Sequence, residues 1–250
     1  MLINGKINIP IENSFIGIDT EWVKNYKIRN GNIPFCFSIV VIKNNIRYNI
    51  FKEEIKFEYL QYYSESIDQT NDLIINFNSA LIKLSSSKYP SNIICGHQLC
   101  SDLSTFFNYG RYMKLNNLCG IKNFINKWNN RNVNENINFI DTRYDLINNK
   151  FGKSRRLVDL CVDIGLKVTQ IELGSKSMTK MYKDYLVSHD NNICEKLSIL
   201  NLRHNLSTIL LFILAQQIQY SHKKLNVNSI LTKNLSSDFM WVNSNEFLSL

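Results

Sequence analysis

The stretch Ser14-Phe-Ile-Gly-Ile-Asp-Thr-Glu21 decides how this chain is read. Phe15 to Ile18 form a short apolar run suited to a central, buried strand, and the run ends in two carboxylates one residue apart. Alternate side chains of a strand leave the same face, so Asp19 and Glu21 stand roughly 6 to 7 Å apart on one side of the sheet. Two like charges at the mouth of a buried strand repel each other unless a cation lies between them. The pair therefore points to a metal site rather than to a solvated strand end. Trp22 follows at once and offers a face on which a base could stack.

Working outward, Pro34 to Ile42 is a strong β run, Lys43-Asn-Asn45 a tight turn, and Ile46 to Phe51 an alternating segment read as the returning strand. Together with the opening stretch they predict three antiparallel strands. Leu73, Ile74, Phe77, Leu81, Ile82 and Leu84 recur at helical spacing and predict a helix from about Asp68 to Ser85. Asn92 to Cys95 is a brief strand leading through Gly96 and His97 into a helix opened by Ser101 or Asp102. Phe139-Ile-Asp141 is a further strand, with Thr142 as cap of a helix beginning near Arg143. Helices then follow over Leu157 to Leu166, Ser177 to Ser188 and Asn191 to about Tyr220. Strands early and helices late predict an α/β domain, a mixed sheet covered by helices, over residues 1–220. Residues 221–250, with apolar Phe239 to Val242, read as a tail docked on that domain.

The composition agrees with one sizeable core: 250 residues, 44% of them hydrophobic. Lys and Arg number 29 against 21 Asp and Glu, a formal net charge of +8 that favours polyanionic partners. The six cysteines are dispersed and form no Cys-x-x-Cys pair, which argues for reduced, buried thiols rather than a zinc knuckle or disulfides. The longest apolar run, Ile209 to Ala215, falls short of the roughly 18 residues of a membrane span. No basic leader with an apolar core opens the chain. The expectation is an intracellular, soluble protein with no membrane partner.

Asp102 is the second acidic candidate, at a helix start where the dipole favours an anion, so it caps the helix or serves a site. His97 is a loop histidine hydrogen-bonded beside the sheet, or a participant in chemistry. Phe15 to Glu21 resembles the first motif of the DEDD superfamily of 3'-5' exonucleases, the DnaQ-like branch of the ribonuclease H-like fold. Gly96-His-Gln-Leu-Cys-Ser-Asp102 resembles the second motif; Phe139-Ile-Asp-Thr142 and Arg156 to Leu166 resemble the strand and helix that follow it. The four features keep the family's order over roughly residues 14 to 215.

That resemblance implies a ribonuclease H-like mixed five-stranded sheet, its first three strands antiparallel. It implies two divalent ions, Mg²⁺ or Mn²⁺, and removal of nucleotides from a free 3' end of single-stranded DNA or RNA. The chain departs from the family at the third motif. The last long helix should carry an aspartate preceded by a tyrosine four positions earlier or a histidine five positions earlier. Here His204 takes the aspartate's place, with Leu200 and Ile199 at the two preceding positions. A neutral imidazole still coordinates a divalent cation but shifts preference from Mg²⁺ towards Mn²⁺; otherwise His204 packs under the tail.

The implied catalytic and metal-binding set is Asp19, Glu21, Asp102 and His204. Trp22, Thr20, His97, Asn201, Arg203, Asn205, Lys176 and Lys180 are the substrate-contact candidates. Asn201 and Asn205 lie one helical turn apart, and Lys176, Lys180 and Lys183 make a cationic strip or a solvated face. The alternative is a nucleic-acid-binding module that keeps the exonuclease scaffold without turnover, or an interaction protein assembled through its tail.

Overall fold

The structure is a computed structural model, and it describes residues 1–7, 11–24, 31–48, 50–51, 54–86, 91–131, 138–146, 155–168, 177–216 and 224–248. Strands β1 (Leu2–Lys6), β2 (Ser14–Lys24), β3 (Asn32–Lys43), β4 (Glu58–Tyr63), β5 (Ile93–Gly96) and β6 (Phe139–Asp141) form one mixed sheet. Its order is β1-β4-β3-β2-β5-β6. β2 is central, antiparallel to β3 and parallel to β5, and β5 is parallel to β6. The strands leading to Asp19, Cys95 and Asp141 thus lie side by side.

Two strand assignments need correction. The sheet has six strands rather than five, because β1 adds to the free edge of β4. The strand returning on β3 is Glu58–Tyr63, not Ile46 to Phe51; Asn44–Tyr48 is instead a 3-10 turn. Both segments alternate, but Ile46, Ile50 and Ile55 sink into the core beside Tyr59, and the chain pairs only after they are buried.

The helices are α1 (Thr70–Ser86), α2 (Leu99–Tyr112), α3 (Cys119–Asn129), α4 (Leu157–Asp163), α5 (Met178–Ser188), α6 (Asn191–Ala215), α7 (Val227–Leu235) and α8 (Asn245–Leu248). No helix starts at Arg143 within the described residues: Thr142 to Asp145 is a turn. The two faces of the sheet are covered by different helices. Ile16, Ile18, Phe37 and Ile39 pack against α1, α2 and α3 through Phe77, Phe106 and Phe124. Phe15, Val40 and Ile42 pack against α6 through Leu202, Leu206, Ile209 and Phe212.

α6 is long and apolar enough to cross a membrane, with a mean hydropathy of 1.4, yet 94% of that stretch is buried inside the protein. A helix apolar on every side is what a core position demands. It reaches the sheet because residue 17 is glycine: a Cβ there would collide with Asn205 Oδ1 and come within 2.8 Å of Ile209 Cδ1. The C-terminal residues close over α6, burying Phe239, Trp241, Val242 and Phe247. Two short strands, β7 (Leu166–Lys167) and β8 (Leu225–Asn226), pair in parallel beside them.

Candidate metal centre

A helix buried all round still carries polar residues, and on α6 several of these share one stripe. Asn201, His204, Asn205 and Thr208 recur at spacings of three and four, which share a helix face. The first three turn to β2 and β3. Asn201 Nδ2 donates to Asp19 Oδ2 at 2.7 Å, and His204 Nδ1 lies 3.2 Å from Glu21 Oε1. Asn205 Nδ2 is spent on the sheet itself, donating to Gly17 O at 3.2 Å and to the Ser38 carbonyl and hydroxyl at 3.0 Å each. The Asn201 amide is in turn oriented from behind: its Oδ1 accepts from Gln61 Nε2 at 3.1 Å and from Cys36 Sγ at 3.5 Å.

Asp19, Glu21 and His204 converge, with ligand atoms within 4.8 Å of one another. Two carboxylates and an imidazole form a donor set that can hold one divalent cation. The electrostatics favour that use. Burial, and then the charge on Glu21, push the Asp19 carboxyl up to about 8, against the opposing pull of His204 and the Asn201 amide. Burial pushes the His204 imidazole down, but its hydrogen bond to Glu21 and the charges of Glu21 and Asp19 outweigh this and raise it. Without a cation, burial favours the protonated form of Asp19; a cation would take the place of that proton.

Asp102 stands apart from this triad. β2 alternates, so Thr20 points to the face opposite Asp19 and Glu21, and that face is the one α2 covers. Asp102 is 7% exposed and Thr20 5%. Burial, and then the nearby charge of Asp19, hold the Asp102 carboxyl well above the usual range, with Thr20 acting the other way. Among the described residues the triad is the one cluster that fits a metal, so the two-ion set expected from sequence reduces here to a single three-ligand site.

The triad opens into a cleft of about 400 Å³ lined by Asp19, His204, His97, Arg156 and Asp159, with Leu157 beside them. His97 Nδ1 sits 2.9 Å from Thr142 Oγ1, so the residue is both hydrogen-bonded beside the sheet and part of the cleft wall. Burial, reinforced by the Arg143 charge, pushes the imidazole down to about 4, leaving it neutral at pH 7.

The turn carrying His97 rests on Asp141, a residue read from sequence only as a strand end. Its carboxylate is fully buried and accepts from Gln98 N at 2.9 Å, Leu99 N at 3.0 Å, Arg143 N at 3.1 Å and Trp128 Nε1 at 2.8 Å. Gln98 adopts φ +63°, a left-handed backbone that two of these bonds hold in place. No sequence signal singles out Gln61, a polar side chain that shares one face of β4 with Tyr59 and Tyr63 and is fully buried under α6.

The remaining contact candidates divide. Arg203 is fully buried on the side of α6 away from the cleft and donates from Nη1 to Asn228 Oδ1 at 3.3 Å, so it braces α7 rather than facing a substrate. Asn205 is likewise fully buried. Thr20 faces Asp102 instead of the cleft. Trp22 is half-buried at a β-bulge, its carbonyl accepting from Thr179 Oγ1 at 3.3 Å. Lys180 is exposed on α5, and Lys176 lies outside the described residues. Glu195 accepts from Trp241 N at 2.7 Å and braces the C-terminal segment. No protein-family model and no curated protein matches the chain. Its chemistry is therefore read from the site.

Proposed function

We propose that the protein is a metal-dependent 3'-5' exonuclease acting on single-stranded nucleic acid. The observation that carries the reading is the Asp19, Glu21 and His204 triad at the end of the central strand, opening into a cleft beside a further buried acid, Asp102. The strand order β4-β3-β2-β5-β6, three antiparallel strands followed by two parallel ones, supports the ribonuclease H-like reading, with β1 as an addition. The net charge of +8 supports a polyanionic substrate.

Asp19, Glu21 and His204 would hold one divalent cation, and Asp19 with Asp102 a second. Bound there, the ions supply a water of lowered pKa and neutralise charge on the phosphorus-bound oxygens. The chain's own residues do the rest. Asn201 fixes the rotamer of Asp19, and Asp141 fixes the turn that sets His97 in the cleft wall. His97, neutral at pH 7 and held by Thr142, adds an uncharged polar wall to the cleft.

The test is digestion of matched 5'-labelled DNA and RNA oligonucleotides with Mn²⁺, Mg²⁺ or chelator. The expected result is a ladder shortening from the 3' end in metal and no products in chelator. Undiminished cutting in excess chelator, or a single internal cut, overturns the proposal. The replacement of a third carboxylate by His204 favours one alternative, a binding module without turnover. Retention of the oligonucleotide with no products in either metal is its signature.

A further inference from the structure

The cleft that holds the triad is poorly charged for a phosphodiester. Asp19, Glu21 and Asp159 bring carboxylates, and His97 is neutral. Among the described residues lining the cleft, Arg156 is the one permanently cationic side chain. It is the residue just before α4, and its guanidinium is held sideways by Asp159 one turn on: Nε donates to Oδ2 at 2.8 Å and Nη2 to Oδ1 at 3.0 Å. The side chain is 79% exposed and that of Asp159 27%. The ion pair is therefore a solvent-facing one of small intrinsic strength. A phosphate presents the same pair of oxygens to the same two N–H groups as the carboxylate does, with more negative charge.

We propose that Arg156 and Asp159 form a phosphate-responsive latch, in which the guanidinium leaves Asp159 for a phosphodiester oxygen of the strand entering the cleft. This rests on the nuclease reading and deepens it by naming the side chain that receives the backbone of the substrate. In the free protein Asp159 screens Arg156 and holds it against the cleft wall. On binding, one bidentate contact is exchanged for another. Asp159 is left as a carboxylate that repels the strand once it lets go, so it tunes affinity downward and speeds release. The role is that of a substrate-binding residue and its restraint, with no part in bond breaking.

The experiment measures anisotropy of a 5'-fluorescein-labelled DNA decamer and its RNA counterpart at several salt concentrations in chelator, with cleavage rates in Mn²⁺ measured alongside. The proteins are the full chain and its Arg156→Ala, Arg156→Lys, Asp159→Ala and double Ala variants. Circular dichroism and thermal melts confirm folding. Arg156→Ala should weaken binding roughly tenfold and flatten the dependence of log K on log salt by roughly 0.7, one single-strand phosphate contact. Arg156→Lys should fall in between, keeping the charge but losing the two-point geometry. Asp159→Ala should tighten binding roughly three- to tenfold, and the double variant should lose that gain, because Asp159 acts through Arg156. If the unmodified chain binds and cuts but Arg156→Ala matches it in affinity and salt slope, the latch is wrong and the nuclease reading stands. If the unmodified chain neither binds nor cuts either oligonucleotide, the nuclease reading itself fails and the latch with it.

Discussion

The two faces of β2 treat their acids differently. On the α6 face, Asp19 and Glu21 meet an imidazole and an amide donor and open into a cleft. On the α2 face, Asp102 is buried beside Thr20, near the α1, α2 and α3 core. Burial raises both Asp19 and Asp102, so desolvation alone does not make a metal ligand. What separates them is company: Asp19 stands with an imidazole and an amide donor and has a path to solvent. A carboxylate gathered with other donors and open to solvent can trade its proton for a cation.

The largest expected effect follows from that contrast. Asp19→Asn should weaken Mn²⁺ binding, read by isothermal titration, roughly a thousandfold, since changes to groups behind a ligand already cost roughly 10- to 100-fold. Asp102→Asn should leave the affinity for the first Mn²⁺ ion within roughly threefold while lowering 3'-end cleavage. Neither variant should lose its fold, because asparagine keeps the shape of the aspartate side chain and introduces no charge. Equal loss of metal affinity in both would erase the distinction between the faces and return Asp102 to the primary ligand set.

The next effect is a pH dependence on the α2 side, where the turn before that helix carries His97. Its imidazole is pushed from 6.5 down to about 4 in the folded protein. Between those values the unfolded chain binds the proton and the folded chain does not, so stability rises with pH across the window. The contribution is complete above about 6.5 and lost as pH falls towards 4, a change of about 3 kcal/mol. His97→Gln keeps a hydrogen-bonding partner for Thr142 and removes the titration. Denaturant-derived stabilities of the two proteins should therefore diverge from pH 6.5 downward, the parent losing more. Parallel curves would mean that His97 titrates normally in the folded protein.

The same contrast explains what could be read in the sequence. Asp19, Glu21 and the strand beneath them were legible because an apolar run ending in two acids is hard to satisfy without a cation, and His204 because it is the histidine on a long apolar helix. Illegible were the features set by close packing between distant segments. β1 contains Gly5 at φ +73° and has little strand signal; it exists because β4 offers it an edge. α3 was hidden by asparagine, which is too frequent here to mark loops.

Gln61 sharpens the comparison from the opposite direction and has the smallest expected effect. It sits on β4, two strands from Asp19, fully buried, with Nε2 donating to Ser198 O at 2.9 Å and to Asn201 Oδ1 at 3.1 Å. Holding Asn201 Oδ1 on that side forces the amide's N–H groups towards Asp19, so a strand remote from the metal centre sets the direction of a hydrogen bond inside it. Gln61→Leu keeps much of the volume and removes the donor, leaving the Asn201 amide able to turn over and present its oxygen to a carboxylate that it would then repel. The expected result is a loss of roughly tenfold in Mn²⁺ affinity, the usual scale for a group behind a ligand. Stability should fall by about 1 to 2 kcal/mol for the lost buried hydrogen bonds. A merely structural Gln61 would lower stability and leave the metal titration unchanged when both proteins are measured well below their melting temperatures. In Asn201→Ala, where there is no amide to orient, Gln61→Leu should cause no further loss of affinity. Additive losses in the double variant would show that Gln61 reaches the metal centre by another route.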